Sequence, residues 1–419
     1  MRLHQTRRRG MTLIELMVAA ALSLVIMAVL ASAFQTGMDT LSQLKSIGDL
    51  QHQLRSSSEK IKADLAAPHF DDPAVANGKL SEVRFDQNPS DFPSSGMFRI
   101  VQLGASYQEV GATTNPKDYS TVASPSGKPS HLFPVSIVNL LSRPNGNANA
   151  MQFAMKLDGK TRQKVFTGPR LPTAPGAAFD NKFDNLVQDP TTTYATRWAV
   201  ISYFLVDSGT KTADGSPLYN LHRRVQLLAE QSGVELANPN ANYSIRTGSP
   251  GHFPINTVAD LLSVANRPGS TTVPGLQTDP AFNAFLSMAD GSDVVMSNVV
   301  SFEIKANWEG NYRKMTPTQP TVPAQLSGPT GDVPNPDYPF DDIPPWNQAA
   351  LSATSGSSQF ETAPRIFDTT PDASSWEQQL GVTAVTPHTR VRINAIQIKL
   401  RVWDPKNRGA RQMTLVQDM

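Results

Sequence analysis

The chain has 419 residues, room for one large or two modest domains. Its net charge of +1 hides an asymmetry: the four arginines before residue 11 leave 33 basic against 36 acidic side chains in the remainder, near −3. Without a basic excess the chain lacks the electrostatic footprint of a nucleic-acid binder, and without any cysteine it has no disulfide, thiolate metal site or cysteine nucleophile.

The N-terminus is the most informative stretch. Arg7, Arg8 and Arg9 precede Gly10, and Met11 to Glu15 lead into an apolar run from Leu16 to Phe34. Those 19 residues span about 28 Å as a helix, close to the hydrocarbon thickness of a bilayer. The arginines orient insertion with the N-terminus in the cytoplasm, so the chain beyond the run is exported. Glu15 is out of place, because an ionised carboxylate near lipid costs roughly 2.5–3.5 kcal/mol. It needs a partner, and none is expected within its own helix.

The run Gly10-Met11-Thr12-Leu13-Ile14-Glu15 resembles the class III leader of type IV pilins and type II secretion pseudopilins. The resemblance implies cleavage by a prepilin peptidase after Gly10 and N-methylation of Met11, where the family usually has Phe. It also implies that Glu15 pairs with the N-terminal ammonium of a neighbouring subunit during filament assembly. A buried carboxylate is tolerable when paired with a cation, which agrees with that role. A Sec signal peptide is the alternative, with Ala31-Ser32-Ala33 as its cleavage site.

Beyond the apolar run, Met38, Leu41, Leu44, Ile47, Leu50, Leu54, Ile61 and Leu65 recur at helical spacing. The pattern predicts one helix over Thr12–Ala66, ended near Pro68, with Gly37 and Gly48 as its weak points. Period-two patterns come next. Met151, Phe153, Met155 and Leu157 alternate, and Asp158-Gly159 predicts a hairpin into Thr161–Thr167. Arg197–Val206 is apolar on both faces, as a central strand is, and pairs through Asp207–Ser216 with Leu218–Leu228. Val300 to Trp308 makes another strand. The alternation at Val391, Ile393 and Ala395 then changes phase to Ile396, Ile398, Leu400 and Val402, which predicts a β-bulge near Ala395.

The fold class expected is α+β and pilin-like: a long N-terminal helix packed on an antiparallel sheet, with large irregular Pro-rich insertions. The order of the later strands resembles J-type minor pseudopilins and W-type minor pilins, and the size suits the large pilin-like Verru_Chthon cassette protein C family. The expected divisions are a leader 1–10, a membrane helix 11–34 and an amphipathic continuation 35–66. A β-rich head 67–229 comes after them, then a polar insertion 230–296, a strand 297–310, a Pro-rich insertion 311–388 and C-terminal strands 389–419. Short helices are expected at Thr257–Ala265 and Pro280–Met288. The Pro-rich insertion holds 12 of the 33 prolines and reads as an ordered, irregular cap.

Catalytic signals are weak. The seven histidines show no zinc spacing, Gly127-Lys128 lacks the P-loop glycines, and the SxxK tetrads at Ser42 and Ser57 lie on the helix without companion motifs. No enzyme activity and no cofactor is expected, with one exception: Asp332, Asp337, Asp341 and Asp342 crowd a turn-rich loop of the kind calcium prefers, though without EF-hand spacing.

The reading is a minor pilin or pseudopilin anchored once in the inner membrane, its head in the periplasm or exterior, and then built into a pilus or pseudopilus. Its expected partners are prepilin peptidase, other pilins, the inner-membrane assembly platform and the membrane. The alternative is a membrane-anchored or Sec-exported β-rich surface binding protein of adhesin type.

Overall fold

The computed structural model describes residues 12–73, 75–83, 93–102, 149–179, 182–212, 217–238, 240–246, 251–263, 266–267, 291–308, 340–341, 365–369 and 393–419. The fold is α+β: one long helix, α1 (Leu13–Leu65), and a large antiparallel sheet. At 53 residues α1 is about 80 Å long.

The strands in chain order are β1 (Phe98–Gln102), β2 (Asn149–Lys156), β3 (Phe166–Pro169), β4 (Thr193–Thr196), β5 (Trp198–Lys211) and β6 (Pro217–Leu227). After them come β7 (Glu235–Leu236), β8 (Phe253–Pro254), β9 (Ser292–Trp308), β10 (Phe340–Asp341), β11 (Arg365–Asp368), β12 (Ile393–Asp404) and β13 (Gly409–Asp418). The main sheet runs β11-β1-β2-β5-β6-β9-β12-β13, with β10 paired to β9. Two small ribbons, β3-β4 and β7-β8, stand apart from it.

Strand β5 explains its own unbroken apolar run, because both faces of the sheet are covered there. Ile201, Tyr203 and Leu205 point into the main core, which the C-terminal part of α1 helps to form. Trp198 and Val200 point the other way, against Met97, Ala154, Leu228 and Leu261. The expected β5–β6 pairing is present, with Ala199 opposite Leu227 and Asp207 opposite Tyr219. The phase change in β12 is also a real irregularity. Ile393 faces Trp308 but Ala395 faces Asn307, so Asn394 is the extra residue.

Three expectations are corrected. Asp158-Gly159 does not make a hairpin between β2 and the segment after it. Both edges of β2 are already taken by β1 and β5, so the chain turns away and β3 pairs with β4 instead. In place of the helix expected at Thr257–Ala265, the described residues up to Ser263 make a single 3-10 turn, Asp260–Leu262. Thr257 and Asp260 cap each other at its start, and Ser263 is already extended. The amphipathic stripe docks only in part. Leu50, Leu54, Ile61 and Leu65 are buried, whereas Met38, Leu41 and Leu44 are more than half exposed. The sheet reaches no further along the helix than about Ser46, which donates to Asp404 Oδ1 at 3.1 Å. The predicted helix at Pro280–Met288 and nearly all of the Pro-rich segment 311–388 lie outside the described residues.

Successive points on α1 meet successive strands. Ser46 reaches Asp404 of β12, Ser57 donates to the Val295 carbonyl of β9 at 3.0 Å, and Asp64 binds Arg223 of β6 and Tyr203 of β5. Beyond the helix end, His69 meets the Ala154 carbonyl of β2. The helix therefore crosses the strands, with β13 on the side of its N-terminal half. Gly96 permits the last of these contacts: its φ is +98°, and a Cβ there would collide with the His69 carbonyl oxygen.

A buried polar cluster at Asp64 ties the helix to the sheet. Arg223 Nε and Tyr203 Oη both donate to Asp64 Oδ2 at 2.6 Å, and Arg223 Nη2 donates to Oδ1 at 3.2 Å. Burial, and then the adjacent carboxylate, push the Tyr203 phenol above its ordinary range, so it stays a donor. Arg223→Met leaves the carboxylate buried without its cation and is expected to cost about 3–5 kcal/mol, whereas the paired Asp64→Leu, Arg223→Met variant costs less than the single change. Denaturant unfolding of the full chain in detergent measures both.

His69 is a second buried polar group. Nδ1 lies 2.8 Å from the Ala154 carbonyl and Nε2 3.2 Å from the Leu65 carbonyl, with the rings of Phe98 and Phe153 edge-on at 5.1 and 4.9 Å. A neutral imidazole has one proton to donate, and the shorter contact places it on Nδ1. Burial holds the pKa down to about 4, outweighing the two carbonyls and Asp64 that favour the cation. The unfolded chain binds this proton more readily. Stability is therefore fully present above pH ~6.5 and falls toward pH ~4, by about 3 kcal/mol over the interval. His69→Gln is expected to flatten that part of the pH–stability curve.

Candidate functional site

The site is the start of α1. Thr12 is extended (φ −74°, ψ 151°) and forms the N-cap, and Glu15 is the third helical residue. Glu15 N donates to Thr12 Oγ1 at 3.3 Å. In return Thr12 N and Thr12 Oγ1 donate to Glu15 Oε2 at 2.9 and 3.1 Å. This is a reciprocal capping box, which satisfies amides that the first turn leaves without helical partners. The carboxylate also sits where the helix dipole favours negative charge.

Glu15 thus has partners in its own chain, contrary to the expectation from sequence. The reason is geometric. Side chains three and four apart within a helix meet on its face, but Thr12 lies just before the helix, where both its hydroxyl and its amide are free to fold back. The Thr-x-x-Glu spacing carries that signal, and Thr12 is the site residue that helical periodicity alone does not mark. All three bonds involving the carboxylate and the cap use Oε2 or the Glu15 amide; Oε1 takes none among the described residues.

From Leu13 to Phe34 every large apolar side chain is at least 52 % exposed. α1 is long and apolar enough in this part to cross a membrane, and none of that window is buried in the protein. Within it Ser23 donates to the Ala19 carbonyl at 2.8 Å, and just beyond it Thr36 donates to the Ser32 carbonyl at 3.0 Å. A helix whose backbone groups are bonded within it meets the requirement for entering lipid.

Residues 5–31 match the family described as the prokaryotic N-terminal methylation motif. The chain carries a prepilin-type N-terminus. The motif implies processing by prepilin peptidase, membrane association through the apolar helix and association with other pilins in general. Comparison of the chain with curated proteins and with solved structures gives no match.

Of the predicted site residues, Arg7, Arg8, Arg9, Gly10 and Met11 lie outside the described residues, and Glu15 lies at the base of α1. Asp332, Asp337 and Asp342 also lie outside them. Asp341, in β10, is described only through its backbone, which pairs with Ala306 of β9. Among the described residues no group of three or more His, Asp or Glu side chains is placed to hold a metal ion.

The capping box has a measurable consequence. Loss of an N-cap hydroxyl costs about 1 kcal/mol, so Thr12→Ala is expected to raise hydrogen exchange at the Glu15 amide about fivefold while leaving the Leu50–Leu65 amides unchanged. Exchange rates in detergent micelles check it.

Proposed function

We propose that the protein is a minor structural subunit of a type IV pilus or type II secretion pseudopilus. It is made as a precursor, cut after Gly10 and methylated on Met11. One observation carries the reading: the methylation motif at residues 5–31 runs without a break into a helix whose apolar half is bare and whose far half is docked on a sheet. A helix bare over that length has two suitable surroundings, lipid before assembly and other helices after it.

Arg7–Arg9 orient insertion, and the head is exported to the periplasm or exterior. In the filament the new Met11 ammonium of a neighbour meets Glu15. The capping box does not oppose this step, because Oε1 remains available while Oε2 stays bonded to Thr12. Close packing of helices, rather than hydrophobicity, drives the transfer from lipid. A head this bulky crowds a filament if repeated in every subunit, which favours a tip-proximal or initiating position. The inner-membrane assembly platform and other pilins are its partners, and its role is structural rather than enzymatic.

The N-terminal residue and its mass, on protein from native membranes, test the reading. N-methyl-Met11 is the expected result. Phe34 as first residue means signal peptidase cleavage and removes the role of Glu15. Glu15→Leu is expected to leave insertion intact and abolish incorporation into filaments, read by fractionation of sheared filaments from membranes.

A further inference from the structure

The order in which α1 meets the strands fixes which edge of the sheet lies nearest the membrane. Ser46 meets β12, Ser57 meets β9 and Asp64 meets β6 and β5. The terminal strand β13 lies beyond β12, on the side of the apolar half of the helix. Ser46 is about 18 Å along the axis from Phe34, and β13 is up to about 5 Å closer. The headgroup layer takes up roughly 5–7 Å of that interval. The gap that remains is comparable with the Debye length of about 8 Å at physiological salt.

This edge is also basic. Lys406 and Arg408 are exposed in the β12–β13 turn, and Arg411 is half-buried on β13. Among the described residues none of the three forms an ion pair. Asp404, at the start of the turn, is engaged: its Oδ1 accepts from Ser46 Oγ and from the amides of Lys406 and Asn407, and its Oδ2 from Asn407 Nδ2 at 2.6 Å. Asp418 stands at the far end of β13. The outer edge of β13 pairs with no strand among the described residues. Counting the exposed Asp39, Lys45 and Asp49 of the adjacent stretch of α1 with Lys406, Arg408 and Arg411, this side keeps an excess of cations in a chain whose sequence beyond the leader is net negative.

We infer that the β12–β13 turn and the outer edge of β13 are a contact surface for the anionic phospholipid headgroups of the bilayer that holds α1. The inference rests on membrane anchoring by the apolar half of α1 and not on filament assembly. Docking holds the sheet down on the membrane while the subunit waits in lipid, and withdrawal from the bilayer releases it.

The absence of cysteine makes a direct test possible. Thr414→Cys, exposed on β13, carries a nitroxide in the full chain, reconstituted at one chain per nanodisc with a nickel-chelating lipid. Phosphatidylcholine discs are compared with phosphatidylcholine–phosphatidylglycerol discs. Collision of the label with headgroup nickel is expected to rise in the anionic discs and to fall again in 1 M salt. Each basic side chain near an anionic surface favours the docked state about fivefold, so combining Lys406→Glu, Arg408→Glu and Arg411→Glu is expected to lose at least roughly a hundredfold of that preference. Equal collision in the two lipids, or no effect of the triple change, overturns the inference. So does a label that becomes immobile only when several chains share a disc, whatever the lipid charge, because the edge then pairs with protein. Failure of the chain to enter discs at all overturns the anchoring itself and is read separately.

Discussion

Asp64, Arg223 and Tyr203 fix the angle at which the helix meets the sheet, and the rest of the architecture depends on that angle. Apolar contacts at Leu54, Ile61 and Leu65 are strong, at about 1.5–3 kcal/mol each when fully buried, but they are not directional. A helix held by them alone has several near-equivalent seats on a flat apolar face. The bidentate guanidinium and the phenol accept one orientation of the carboxylate. With Asp64 seated there, Ser57 falls on the Val295 carbonyl and Ser46 on Asp404. The apolar half of α1 is then aimed away from the sheet.

Much of this is legible in the amino-acid sequence, because its signals are periodic or punctuated. The apolar run, the heptad-like stripe, the unbroken apolar stretch of β5 and the alternation in β6, β9 and β12 each report which faces of an element are covered. The bulge at Asn394 is legible for the same reason, since one extra residue inverts the phase of all later positions. The failures have a common origin. Asp158-Gly159 is good turn chemistry, but whether two strands pair across a turn depends on which edges are already occupied, and β1 and β5 come from remote sequence. The stripe at Met38, Leu41 and Leu44 looks the same as that at Leu54 and Ile61. Nothing local tells a residue that the sheet ends near Ser46.

The site divides in a similar way. Glu15 stands out because a carboxylate beside an apolar run is conspicuous. Its partner does not, because capping depends on the residue just outside the helix, where the backbone is still extended. Asp64 and His69 show the opposite limit. Each is an ordinary polar residue in sequence, and each becomes buried only through elements more than 80 residues away.

Between Phe34 and Ser46 the helix touches neither the sheet nor, in an inserted subunit, the hydrocarbon. Residues 35–45 are all exposed, and no atom outside the helix lies within reach of a side chain at Gly37 or Gly48. Only hydrogen bonds within the helix, from its backbone and from Thr36 and Thr40, give this stretch its length. Under tension it is the first part to yield, since nothing tertiary must be broken before it unwinds. Ten residues passing from helix to extended chain lengthen by about 18 Å. The protein therefore has a built-in spring, placed between a stiff membrane rod and a stiff head, that takes up strain without loosening either.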